Sequence, residues 1–263
     1  MLSYQHLYHA GNAADVHKHA LLAWMLEYLT QKDKPLTYIE SHAGRGLYDL
    51  GAPEALKTGE AAMGLDRLER EIASEHPYRR VLARVRAAHG ARAYPGSPLI
   101  AASLLRPTDT IHLAERHPAE FAALAEAMLP YPALVYPVDG FAKAHELTPP
   151  TPRRGLMLVD PSYEIASDYA DMAHFVGVIA RKWNVGVIAL WYPLLSEDRG
   201  PAPHHAMVDA LMQAHPDALR HEVAFPPARA GHRMTGSGMV VINPPWGLDD
   251  EARRLDRVFA APG

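Results

Sequence analysis

Short apolar, β-branched runs alternate along this chain with longer segments whose apolar residues recur at helical spacing. Runs near 36–41, 109–114, 133–138, 155–160, 186–191, 219–225 and 238–243 read as strands. Segments 14–31, 97–105, 118–128, 169–182 and 203–215 read as helices, and helices are expected to fill most of the gaps. Strands alternating with helices predict an α/β fold with a mostly parallel sheet. Only a Pro/Gly-rich stretch, Pro226 to Gly238, separates the last two strands, so they are expected to close the sheet as an antiparallel hairpin. Ser97-Pro98 has the form of a helix start, with serine as cap and proline in the first turn.

One segment exceeds a minimal crossover, which needs about a dozen residues. Residues 52–94 read as a helical insertion, with Leu65, Leu68 and Ile72 apolar among charges. The expected organisation is therefore one main domain over 1–51 and 95–263, interrupted by 52–94. The insertion either shapes a substrate surface or is structural. No internal repeat is present.

Composition narrows the chemistry. The chain has 263 residues, 48% of them hydrophobic, enough for a sizeable core. It has no cysteine, which excludes disulfides, thiolate metal sites and thiol nucleophiles. No apolar run reaches membrane-spanning length and the first residues lack a basic-then-apolar leader, so a cytoplasmic protein without a membrane partner is expected. The formal charge of −4 does not mark a nucleic-acid binder. Charge can be local, however. Arg79, Arg80, Arg84, Arg86 and Arg92 form one cluster, read equally as a solvated helix face or a contact surface, and Arg153-Arg154 precede the fourth strand. The 16 histidines could add positive charge beside phosphates. His17 and His19 share no helical face, and no acid is clearly spaced to complete a metal site with His6 and His9, so no metal is expected.

The strand ends carry the candidate chemistry. The first gives Glu40-Ser41-His42-Ala43-Gly44-Arg45-Gly46, where glycines allow close approach of backbone to a ligand and His42 supplies a polar group. The second ends in Glu115, able to accept hydrogen bonds from two ribose hydroxyls; the third ends in Asp139-Gly140, where the aspartate can receive an adenine amine. Each acid alone reads more readily as a helix cap or a solvated loop residue. The fourth gives Asp160-Pro161-Ser162-Tyr163: a carboxylate that accepts from an amine, a stiffening proline and a ring that can stack on a base. In succession these ends favour an adenosyl cofactor. Asn243-Pro244-Pro245-Trp246 is a similar string after the last strand. Its position makes it a structural turn, with Trp246 expected to pack on the core.

These features resemble known proteins. Seven strands ending in a hairpin resemble the Rossmann-like methyltransferases, and Asp160 to Tyr163 resembles the D-P-P-[YFW] signature of S-adenosylmethionine-dependent amino-methyltransferases, with Ser162 in place of the second proline. Ordered strings over nearly the whole chain resemble the bacterial RlmJ family. They include Leu2-Ser3-Tyr4, His9-Ala10-Gly11-Asn12, Ala14-Asp15-Val16, Lys18-His19, His42-Ala43-Gly44, Tyr94 to Ile100, Asp139-Gly140-Phe141, Arg153 to Leu156 and Met234-Thr235 to Trp246. The resemblance implies a Rossmann-like fold, S-adenosyl-L-methionine as cofactor, and N6-methylation of an adenine in 23S ribosomal RNA. It implies that 1–19 forms a substrate and cofactor motif of the methyltransferase domain, in which Lys18 and His19 meet the cofactor's methionine end with His42 and Ser97 nearby. Glu115 would hold its ribose, and Asp139 and Gly140 its adenine region. Asp160 would be catalytic, with Pro161 and Tyr163 placing the target amine, and Tyr4 would contact the target nucleotide.

Rival readings remain at this stage. An amino-methyltransferase acting on DNA adenine or a protein glutamine uses related strand-four chemistry. A histidine-rich metal hydrolase and a non-catalytic RNA-binding relative are the alternatives from other classes.

Overall fold

In a computed structural model, residues 6–163, 165, 167–198, 200–228 and 231–261 are described. The strands are β1 (Thr37–Glu40), β2 (Leu47–Asp49), β3 (Ala93–Pro95), β4 (Thr110–Ala114), β5 (Ala133–Tyr136), β6 (Gly155–Val159), β7 (Val187–Leu195), β8 (Leu219–Ala224) and β9 (Met234–Ile242). Seven of them form one sheet in the order β5-β4-β1-β6-β7-β9-β8. The pairs through β7 are parallel, and β9 runs antiparallel to both β7 and β8. This is the expected Rossmann-like sheet with its closing hairpin, and each of the seven strand readings falls on one of its strands.

Alternation along the strands divides two cores. Tyr38, Leu156, Leu158, Ala189 and Val241 pack on the face covered by the helix Ala13–Thr30; Ile39, Met157, Val159, Leu190 and Val240 pack on the other, under the helices Ser167–Lys182 and His204–Ala214. The period of two in the strands thus builds a three-layer structure.

The helix Ala13–Thr30 begins at Asn12, whose side chain accepts from the Asp15 amide. It is buried almost all round, including Asp15, His17, Lys18 and His19. Polar residues inside a buried helix must find partners, and theirs build the site described below.

Within 52–94, Leu65, Leu68, Ile72, Tyr78, Val81 and Leu82 join the core on the side of that first helix. The arginine cluster there is absorbed internally. Arg86 makes a two-pronged bond to Glu69, Arg79 donates to the Glu69 and Ile72 carbonyls, and Arg84 donates to the Ser103 carbonyl. Arg80 is paired with Glu27 and Arg92 donates to the Leu50 carbonyl. Arg154 likewise donates to the Leu29 and Lys34 carbonyls.

Two helices escaped the periodicity reading. Gly140–Leu147 is capped by Asp139, whose carboxylate accepts from the Ala142 amide. Leu248–Ala260 buries Leu248, Ala252, Leu255 and Val258, a helical spacing that was present in the sequence.

Two expectations need correction. Trp246 is 84% exposed and does not pack on the core. Its turn is held instead by Asn243, in the left-handed region at φ 53°, whose side-chain amide donates to the Asn184 and Gly186 carbonyls. Ser97 is not a cap: Gly96 holds that position, and the Ser97 hydroxyl donates to Glu40.

Candidate active site

The parallel strands deliver their carboxyl ends to one edge, the usual ligand edge of such sheets, on both sides of the switch between β1 and β6. A cleft of about 670 Å3 opens there, within the range of small-molecule sites. It is lined by Lys18, His19, His42, Ser97, Glu115, Asp139, Gly140, Asp160, Pro161 and Tyr163. The structure therefore brings together every named site residue that it describes; Tyr4 lies outside the described residues. Asn243 to Trp246 follow β9, whose Ile242 pairs with Ile188 near the start of β7, so they stand at the opposite edge.

At the centre, Lys18 Nζ donates to Asp160 Oδ2 at 2.5 Å and lies 3.2 Å from Asp15 Oδ1. Burial alone would lower the Lys18 ammonium's pKa, but Asp160 and Asp15 overturn this and raise it. Burial would raise the Asp15 carboxyl; the charges of His6 and Lys18 and the His6 hydrogen bond, 2.9 Å, hold it well below the usual range. Asp15 and Asp160 thus share one ammonium, and His6 bonds Asp15 through its other oxygen. Glu40, at the end of β1, adds no charge at neutral pH: burial pushes it up to about 8 despite hydrogen bonds from Ser97 and Tyr38.

His19 and His42 stay neutral at the site, because burial lowers His19 to about 3 and His42 to about 4. His19 Nδ1 is tied to the Tyr94 hydroxyl at 2.8 Å, and His42 Nδ1 to the Ser41 hydroxyl at 2.8 Å, with its ring against Phe141. His6 and His9 pair with Asp15 and Glu60, two acids that sequence spacing did not connect to them.

On the β4–β5 side, Glu115 is held by two amides. Its Oε2 accepts from Gly44 at 2.9 Å and its Oε1 from His117 at 2.7 Å. Gly44 sits at φ +62°, which suits glycine and aims that amide. Asp139 accepts one amide through Oδ1, and Arg116 lies 3.5 Å from its other oxygen. Capping and ligand roles are compatible, because a carboxylate accepts several bonds. A Cβ at Gly140 would lie 1.6 Å from the Ser41 carbonyl, so glycine is what lets this helix close against the end of β1.

On the β7 side, Tyr163 sits at φ 50°, a conformation costing about 1–2 kcal/mol for a non-glycine residue. Its hydroxyl donates to the Trp191 carbonyl at 2.8 Å and its ring packs on Tyr169 at 4.5 Å. The Trp191 indole lies under Lys18 Nζ at 5.4 Å. A buried chain anchors that indole: Trp191 Nε1 donates to Ser237 Oγ (2.9 Å), which meets His17 Nδ1 (2.8 Å); His17 Nε2 meets His221 Nδ1 (2.9 Å), and His221 Nε2 meets Asp256 Oδ1 (3.0 Å). Indole only donates and carboxylate only accepts, so with neutral rings every proton points from Trp191 towards Asp256. Asp15, Tyr169, Trp191 and Arg233 line the cleft yet were missed in the sequence. Asp15 had a signal, three residues before Lys18 on a helix; Trp191 and Arg233 depend on strand pairing, and Tyr169 on how its helix packs.

Residues 33–261 match the family described as "Ribosomal RNA large subunit methyltransferase D, RlmJ". The chain belongs to the RlmJ family. Ribosomal RNA large subunit methyltransferase J of Escherichia coli (strain K12) is 38% identical over 259 residues, covering 97% of this chain and 91% of that protein. The protein of the same name from Haemophilus influenzae (strain ATCC 51907 / DSM 11121 / KW20 / Rd) is 35% identical over 260 residues, covering 97% and 92%. A crystal structure of a protein from Legionella pneumophila str. Philadelphia 1 superposes with a TM-score of 0.85 at 33% identity, over 95% of this chain and 92% of that one.

RlmJ-family enzymes are methyltransferases that use S-adenosyl-L-methionine. The cleft fits that group. The acidic side chains Asp15 and Asp160 at its centre suit a sulfonium cation, and His117 Nδ1 is a buried polar atom without a partner at the Glu115 end. Among the described residues, no group of three or more His, Asp or Glu side chains could hold a metal, and no helix is long and apolar enough to cross a membrane.

Proposed function

We propose that this chain methylates the N6 amine of an adenine in 23S ribosomal RNA, as a cytoplasmic enzyme. The observation that carries the reading is Asp160 at the carboxyl end of β6, paired with buried Lys18 and flanked by Pro161 and Tyr163 in the same cleft. The names of the E. coli and Haemophilus relatives support ribosomal RNA as the substrate class.

In this reading Glu115 accepts from the cofactor's ribose, Asp139 and Gly140 border its adenine, and His19, His42, Ser97 and Lys18 surround its methionine end. S-adenosyl-L-methionine supplies an activated methyl group. The protein's share is then placement and electrostatics. An adenine N6 lone pair is delocalised into the ring and is a poor nucleophile. Lys18 fixes Asp160 through Oδ2, leaving Oδ1 to accept one amine N–H, while the Pro161 carbonyl accepts the other. Tyr163, held by Trp191 and Tyr169, offers its ring to the base. As nitrogen gains positive charge, Asp160 stabilises it, and the proton leaves to water. The base must be unstacked to enter, so a single-stranded or splayed nucleotide is the substrate form.

Asp160→Ala should bind S-adenosyl-L-methionine normally by calorimetry yet transfer no methyl to rRNA. Full transfer by that variant would overturn the assignment. Methylation of DNA or of a glutamine peptide in place of rRNA would redirect it to the rival substrates.

A further inference from the structure

Two arginines line the cleft, and they are not alike. Arg116 faces Asp139 at 3.5 Å on the β4–β5 side. Arg233 lies at the far side, one residue before β9, where Met234 pairs with Leu195 of β7. Its backbone carbonyl accepts from the Ser196 amide at 2.8 Å, and its Nη2 donates to the Ser196 carbonyl at 3.1 Å, which fixes the guanidinium's base. Its Nε is buried with no partner, and so is Nδ1 of the adjacent His232. Among the described residues no carboxylate lies within 4.0 Å of the Arg233 guanidinium. Buried polar atoms are normally satisfied, so unpartnered nitrogens at a cleft wall point to a ligand.

The order of strands says which ligand. Glu115, Asp139 and His42 come from β4, β5 and β1; Asp160 stands at the midpoint on β6; Trp191, Leu195 and Arg233 come from β7 and the start of β9. Arg233 therefore lies two strands beyond Asp160, on the side opposite the groups assigned to the cofactor. Tyr163 and Tyr169 line the same cleft between them. A nucleotide whose base reaches Tyr163 carries its phosphate outward from there. A guanidinium fork suits a phosphate, which accepts two parallel N–H bonds. S-adenosyl-L-methionine has no phosphate. We propose that Arg233, assisted by His232, grips a backbone phosphate next to the target nucleotide. This rests on the nucleic-acid reading above and extends it.

The test is RNA binding by wild type, Arg233→Gln and Arg233→Lys across a potassium chloride series, using an unmodified large-subunit rRNA transcript. Cofactor affinity and melting temperature are measured on the same samples. Removing one phosphate contact to single-stranded RNA lowers the slope of log affinity against log salt by about 0.7. Arg233→Gln should show that drop, with RNA affinity weaker by about tenfold or more, S-adenosyl-L-methionine affinity unchanged and KM rather than kcat affected. Arg233→Lys should keep the slope while losing part of the affinity. An unchanged slope in Arg233→Gln overturns the proposal; an unchanged slope with weakened cofactor binding moves Arg233 to the cofactor. Wild type that binds RNA with the Arg233-dependent slope but transfers no methyl overturns the enzymatic reading alone. Wild type that binds no RNA overturns both.

Discussion

Lys18 Nζ stands 2.5 Å from Asp160 Oδ2, joining the buried first helix to the end of β6 across 142 residues of sequence. The Lys18 side chain is 5% exposed and that of Asp160 15%, so this pair works in a weakly screened setting. Removing the cation takes away the ion-pair partner of Asp160 and leaves Asp15 with His6 alone. Lys18→Met should therefore lose about 3 kcal/mol or more of stability, read by urea unfolding, and at least about a hundredfold in kcat/KM. A variant with wild-type stability would show that the pair is not closed in solution.

Glu40 gives a pH signature. Its carboxyl stays protonated up to about pH 8 in the folded chain, whereas the unfolded value is 4.5. The folded state thus holds an extra proton between these values, and stability falls as pH rises through that window. Glu40→Gln mimics the protonated form and should lose less stability than wild type between pH 5 and pH 8. Parallel melting-temperature profiles for the two proteins would contradict this.

The Trp191–Ser237–His17 chain predicts a cost inside the fold. Ser237→Ala leaves the Trp191 indole N–H and His17 Nδ1 buried without partners. The expected loss is about 1–3 kcal/mol, together with a raised KM for RNA as the wall beneath Lys18 and beside Tyr163 loosens. Unchanged stability and KM would show that the chain does not hold Trp191.

Trp246 predicts the opposite. It is 84% exposed at the edge away from the cleft. Trp246→Ala should change stability by no more than about 0.5 kcal/mol and leave methyl transfer intact. Loss of transfer would reopen Asn243 to Trp246 as part of the catalytic apparatus.

What the sequence disclosed follows from the range of its signals. Strand alternation is local, so all seven strands and the placement of Glu115, Asp139 and Asp160 at their ends could be read directly. Position also separated Asp160-Pro161-Ser162-Tyr163 from Asn243-Pro244-Pro245-Trp246, since β9 runs antiparallel and turns the latter away. Long-range pairings left no such trace. Nothing local shows that His6 finds Asp15, that Ser97 serves Glu40 instead of capping its helix, or that Arg233 enters the cleft. Nor does composition show that burial holds His19 and His42 neutral.

The central claim is tested most directly by methyl transfer from labelled S-adenosyl-L-methionine to unmodified large-subunit rRNA, followed by nuclease digestion and identification of the labelled nucleoside. The account predicts N6-methyladenosine, confined to one position and absent with Asp160→Ala. Label in any other nucleoside, or no label in RNA from protein that binds the cofactor, would contradict it.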